Sequence, residues 1–149
     1  MAVTEGGQLW TFGSGWNGRL GHGDEEYRLV PKLVDGLAGV RVCQASADDA
    51  HSMAVTEGGQ VWTFGDGRHG QLGHGDKETQ LVPKVVEGLA GVRVCQVSAG
   101  VFHSMAVTEG GQVWTFGHGE DGQLGHGDQE HQLVPKLVEG SLTCGQLGP

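Results

Sequence analysis

Residues 51–76 read HSMAVTEGGQVWTFGDGRHGQLGHGD, and this stretch decides the fold. His51 to Thr56 and Gln60 to Phe64 are short runs on either side of Glu57-Gly58-Gly59. Two such runs about a Gly-Gly turn predict a β-hairpin. In the second run Val61 and Thr63 alternate with Trp62 and Phe64, the two-residue period of a strand. From Gly65 to Asp76 five of twelve residues are glycine, a density that excludes a helix or a regular strand.

Nearly the same stretch returns at residues 103–128 and, without its first two residues, at 1–24. LVPK follows at Leu29, Leu81 and Leu133, so the period is 52 residues with no insertion or deletion. A fixed period of about this size marks one supersecondary unit stacked on copies of itself. Each unit adds an apolar run, Gln80 to Val86 in the second, that Pro83 breaks; this predicts an edge strand or a bulge. A turn at Gly88 to Gly91 and a β-rich run from Val92 to Ser98 complete the unit. No stretch keeps the helical 3.6-residue period over three turns. Four short strands per unit predict an all-β chain of propeller-type blades, whereas a leucine-rich or helical solenoid needs a helix in every unit.

The units are residues 1–52, 53–104 and 105–140, and residues 141–149 are a divergent tail in which SLTCGQLGP stands where LAGVRVCQ is expected. Met1 corresponds to Met53 and Met105, so the chain begins inside a hairpin. Fewer than three full units predict an incomplete, open propeller arc. Its end blades each have one bare face, which invites a second copy to close the ring as a homo-oligomer.

Composition narrows the function. The 149 residues include 18 acidic and 9 basic side chains, a net charge of −9, with no basic run. Clustered Lys and Arg hold nucleic-acid backbones, so nucleic acid is not an expected partner. Glycine supplies 29 residues, well above the usual share of about 7%, and recurs in register between apolar runs, which makes it a turn residue. Cys43, Cys95 and Cys144 form neither a CxxC nor an even set, as in a reduced protein. No charged-then-apolar leader opens the chain and its apolar runs are short. An intracellular protein, cytoplasmic or nuclear, with no membrane partner is therefore expected.

Several motifs dissolve on inspection. Gly65-x-Gly67-x-x-Gly70 and its copies match the dinucleotide fingerprint G-x-G-x-x-G, but Gln71-Leu72-Gly73 follows where a helix must start. Gly73-His74-Gly75-Asp76 resembles calcium-binding glycine–aspartate nonapeptides, whose ligands stack every nine residues; the present period cannot do that. His22, His74 and His126 are equivalent single imidazoles, read as formers of loop hydrogen bonds. Ser, His and Asp recur as repeated fixtures, and neither a unique catalytic set nor paired carboxylates emerge. No catalytic residue, cofactor or metal is expected.

The His-Ser pair, the hairpin ending in aromatic-x-aromatic-Gly, the Gly-Gln-Leu-Gly-x-Gly loop and the following Pro together resemble the repeat of the regulator of chromosome condensation family. The resemblance covers Met1 to Gly140. It implies seven-bladed propellers with blades shared between successive repeats, and a structural contact for His51 and His103. It also implies an alternative function, guanine-nucleotide exchange on a Ran-like small GTPase. The unbroken register leaves no room for the inserted β-wedge that exchange uses in the founding member. Chromatin binding, as in that same member, wants a basic tail that the termini do not supply. A photoreceptor member carries Gly-Trp-Arg-His-Thr where this chain has Asp49-Ala50-His51-Ser52 and Val101-Phe102-His103-Ser104, so that function is not implied.

The copies differ mainly in their loops. Ser14, Trp16, Asn17 and Arg19 become Asp66, Arg68, His69 and Gln71, then His118, Glu120, Asp121 and Gln123. Glu25, Tyr27 and Arg28 become Lys77, Thr79 and Gln80, then Gln129, His131 and Gln132, and Asp48-Asp49-Ala50 becomes Gly100-Val101-Phe102. Loops on a rigid scaffold carry binding, and aromatic and Arg side chains anchor interfaces. The expected function is a protein–protein interaction module whose candidate partner-binding residues are Trp16, Tyr27, Arg28, Arg68, His69, Phe102, Glu120 and Asp121. Plain drift at solvated positions is the competing reading.

Overall fold

The computed structural model describes residues 1–140, folded as eleven strands in three antiparallel sheets. Strands β1 (Ala2–Val3), β2 (Leu9–Gly13) and β3 (Arg28–Leu33) form the first. Strands β4 (Val42–Ala47), β5 (His51–Thr56), β6 (Val61–Gly65) and β7 (Gln80–Val85) form the second. Strands β8 (Val94–Gly100), β9 (His103–Thr108), β10 (Val113–Gly117) and β11 (Gln132–Leu137) form the third. Each sheet is a meander whose sequential strands pair, and each is one blade. The tail at 141–149, with Cys144, lies outside the described residues.

The expected hairpins form. Met53 pairs with Thr63 and Val55 with Val61, and the third blade repeats this as Met105 with Thr115 and Val107 with Val113. Pro83 sits in β7, an edge strand, and the register between β6 and β7 shifts between Thr63 and Gly65; the predicted edge and the predicted bulge both occur. The strand expected at Val92 to Ser98 runs two residues later, at Val94–Gly100. Val92 instead closes the preceding turn, its N–H donating to the Leu89 carbonyl. The first glycine-rich loop, expected to hold no helix, closes one 3-10 turn at Trp16–Gly18. Asn17 inside it is left-handed at φ 61°, which stops the turn from propagating.

The core lies between blades. Leu9, Val34, Leu37, Val42, Ala54 and Phe64 join the first blade to the second. Met53, Val55, Val61, Val86, Leu89, Val94, Val97, Ala106 and Phe116 join the second to the third. With both faces packed, all six residues of β5 are buried, the polar His51 and Ser52 included. Each junction closes on a glycine. A Cβ at Gly21 would stand 2.9 Å from the Phe64 ring, and one at Gly73 would stand 2.8 Å from Phe116. Gly23 N–H donates to the Leu81 carbonyl and Gly75 N–H to that of Leu133, tying each loop to the outer strand of the next blade.

The ends lack these partners. Phe64 and Phe116 are fully buried, while their equivalent Phe12 is 46% exposed and Leu29, the counterpart of Leu81 and Leu133, is 94% exposed. The first blade has three strands, so its hairpin begins at an open edge.

Candidate interaction site

Repeated polar residues fix the blades. Thr63 Oγ1 donates to the Leu72 carbonyl at 2.8 Å, so its single hydrogen is taken and His74 Nε2 donates to it at 2.9 Å. Thr11 with His22 and Thr115 with His126 repeat the pattern, which makes these imidazoles loop fixtures as the sequence suggested. Burial is the main influence pushing all three rings below the ordinary histidine value.

A second fixture crosses the junction between the second and third blades. Ser104 Oγ donates to the Gln71 carbonyl at 2.6 Å, and His51 Nε2 therefore donates to Ser104 across 2.8 Å. Asp48 Oδ1 approaches His51 Nδ1 to 3.1 Å and accepts the backbone N–H groups of Ala50 and His51. Burial raises the Asp48 carboxyl, but the His51 ring and those N–H groups outweigh it and hold the value at about 2. Asp48, His51 and Ser104 thus form an Asp–His–Ser set that the sequence did not reveal, since 53 residues separate the last two. It does not present a nucleophile. Ser104 is fully buried and its hydrogen is committed to Gln71, so the set joins blades.

The varied residues collect at one end of the blades. This end carries the long loops after β2, β6 and β10 and the turns β4–β5 and β8–β9; Asp66 N–H donates to the Ala50 carbonyl and His118 N–H to that of Phe102. Trp16 and Tyr27 are exposed at 62% and 68%. Arg28 is held back by Asp24 at 2.6 Å. Arg68 projects outward while its guanidinium grips the buried Asp66 through two bonds of 2.9 Å. Burial raises the Asp66 carboxyl, and Arg68 more than offsets this, keeping it below the ordinary range.

Four rings meet at the second junction. The His69 centroid lies 4.2 Å from Phe102 and 5.5 Å from His118, and His118 lies 4.7 Å from His131. Phe102 reaches His69 from a left-handed backbone, φ 60°, beside the exposed Val101. Glu120 stands 3.8 Å from His118 Nε2 and 3.7 Å from His131 Nε2. His131 Nδ1 accepts the Gly119 N–H at 3.0 Å, so the neutral ring carries its hydrogen on Nε2 and offers no free lone pair to a metal. Asp121 is exposed, its N–H bonded to Gln123 Oε1. The structure therefore brings His69, Phe102 and Glu120 together and leaves Trp16 and Tyr27 apart from them. His118 and His131, not among the expected binding residues, complete the group. Their variation between copies was the available signal.

The grooves beside Gly59, Val86 and Arg93 and beside Gly7, Leu9 and Arg41 occupy equivalent places in successive blades, which marks them as architecture.

The sequence profile of the regulator of chromosome condensation (RCC1) repeat matches residues 6–55, 58–107 and 110–148, and a second profile of that repeat matches 42–71 and 94–123. The chain belongs to the RCC1 repeat family. The E3 ubiquitin-protein ligase HERC2 of Homo sapiens is 45% identical over 141 residues, which cover 93% of this chain and 3% of the relative. The crystal structure of human WBSCR16 superposes with a TM-score of 0.81 at 26% identity, over 92% of this chain and 34% of that one. Prp20p of Saccharomyces cerevisiae, described with its binding to Gsp1p and histones, superposes at 0.80 with 23% identity over 93% and 35%, a likeness of fold. This RCC1-repeat chain spans about a third of either solved chain and a small segment of the ligase.

Proposed function

We propose that this chain is a non-catalytic, intracellular interaction module that holds a protein partner on the loop end of its blades. One observation carries the reading. The Thr–His and His–Ser residues that fix the blades recur unchanged, whereas Arg68, His69, Phe102, His118 and Glu120 vary between copies and are gathered on one face. Aromatic and Arg groups on a rigid scaffold suit an interface. Photo-crosslinking from the loop end with mass-spectrometric identification tests it. Exchange of Arg68→Trp, His69→Asn and Phe102→Ala installs the residues of preceding copies and should abolish crosslinks while the far hairpin end keeps its own pattern. Crosslinks indifferent to this exchange refute the reading.

A Ran-like small GTPase is the partner class that the Prp20p likeness and its described binding to Gsp1p bring forward. Faster release of labelled GDP from such a GTPase is the expected result for an exchange factor, and unchanged release rejects it.

Self-association is the second partner reading. The last blade offers Gly125 and the Gly127 N–H where earlier blades receive a phenylalanine ring and a leucine carbonyl, and the first blade offers Phe12 and Leu29. Such a head-to-tail contact closes a ring or propagates. Light scattering on the wild type and on Leu29→Asp should show a concentration-dependent dimer or larger species only for the former. A monomer at every concentration overturns this reading.

A further inference from the structure

The loop of the third blade is held through a titratable ring where the second blade uses a hydroxyl. Gly119 N–H donates to His131 Nδ1 at 3.0 Å, and at the same place in the second blade Gly67 N–H donates to Thr79 Oγ1 at 3.3 Å. A hydroxyl accepts at any pH. A ring nitrogen accepts only while it is unprotonated. The rings of His131, His118 and, across the junction, His69 have Thr79, Asp66 and Asn17 at their equivalents one copy earlier, so the first junction has no such ladder.

We propose that the His69–His118–His131 ladder is a proton-operated latch on the loop of the third blade, closed while its rings are neutral and opened when they take up protons. Two effects drive the opening. A proton on His131 Nδ1 turns the acceptor of Gly119 into a donor, leaving two N–H groups face to face. Charging the stack also sets like charges about one ring spacing apart, and repulsion at that range is only partly screened.

The surrounding charges do not cancel this. Glu120 is the carboxylate that faces His118 and His131, and one exposed carboxylate can balance one ring. Asp66 faces His69 but is committed to Arg68, which adds a positive charge beside the ladder. Burial lowers the His69 value; Asp66 opposes this, while His118, Arg68 and His131 reinforce it. Protonation of His69 thus works against the packed arrangement. The latch is a property of the chain alone and does not depend on the interaction reading.

Native-state hydrogen exchange at pH 7.5 and 5.5, corrected for the intrinsic pH dependence, tests it with an internal control. Protection at the His118 and Gly119 amides should fall about tenfold more than at Asp66 and Gly67. His131→Thr, which installs the acceptor of the second blade, should abolish most of that difference. An equal fall in both loops, or a difference that survives the substitution, overturns the latch. Should His131→Thr fail to fold, titration of the ring Cε1–H signals in the wild type decides. Coupled, broadened curves for the three rings support the latch, and three independent ordinary curves overturn it.

Discussion

Gly73→Ala and Gly125→Ala separate backbone strain from the close approach that joins blades. Both residues are left-handed, at φ +79° and +78°, so alanine suffers the same conformational penalty at each, roughly 1–2 kcal/mol. Their surroundings differ. A Cβ at Gly73 meets the Phe116 ring at 2.8 Å, whereas at Gly125 the nearest atom among the described residues is Val138 Cγ1 at 3.6 Å, an ordinary contact. Phe116 is fully buried and has no room to swing aside. Overpacking of this kind costs about 1–3 kcal/mol. The expected losses are about 2–5 kcal/mol for Gly73→Ala and about 1–2 kcal/mol for Gly125→Ala. Urea unfolding followed by tryptophan fluorescence reads them as midpoint shifts at unchanged slope. Gly21→Ala should group with Gly73→Ala, because its Cβ stands 2.9 Å from Phe64. Equal losses at all three sites would refute the claim that glycine is needed for the passage of the ring. Protein concentration adds a second axis: in a head-to-tail assembly Gly125 meets Phe12 of another copy, and its loss then grows with concentration.

Three further perturbations probe the fixtures. Thr63→Val strands the Leu72 carbonyl and the His74 N–H in the interior, and should cost about 1–3 kcal/mol in a chemical melt. Asp48 holds its value at about 2 against an ordinary 3.8, so its contribution is full above pH 3.8 and is lost as pH falls toward 2; Asp48→Asn should flatten that acid limb of the stability curve, by about 2 kcal/mol at most. Arg68→Ala leaves the buried Asp66 carboxylate without its cation; thermal melts should show destabilisation that Asp66→Ser, the residue of the first copy, largely restores.

The sequence was most legible where the determining chemistry is local. Glu57-Gly58-Gly59 sets a hairpin through its own turn, and Pro83 marks an edge because it has no N–H to give. Which residues form the core was less legible, because blades pack on both faces and the alternation along β5 and β6 does not divide core from solvent. The ring ladder was harder still. His69, Phe102, His118 and His131 lie on two blades and three connections, and comparison of the copies flags each position without showing that they touch. The His51–Ser104 bond was hidden for the same reason, since each partner looks like one member of a repeated pair.

Because the core lies between blades, stability is graded along the arc. The middle blade packs on both faces and buries the whole of β5, while each end blade has one neighbour. In quasi-one-dimensional repeats stability is a sum of intrinsic and nearest-neighbour contributions, so the ends open before the centre. The first blade is the weaker end, with three strands, a two-residue β1 and an exposed Phe12. The third keeps four strands and its own buried Phe116. This grading gives the latch its consequence. Its rings sit where the second blade meets the third, so protons act on one boundary loop, whose opening loosens that end of the third blade and leaves the doubly packed centre intact. Hydrogen exchange should therefore show two distinct openings: a pH-independent fraying of β1 to β3, and an acid-promoted release confined to the loop between β10 and β11. A single cooperative opening of all three blades would show that the junctions are stronger than the blades, and that the arc behaves as one unit.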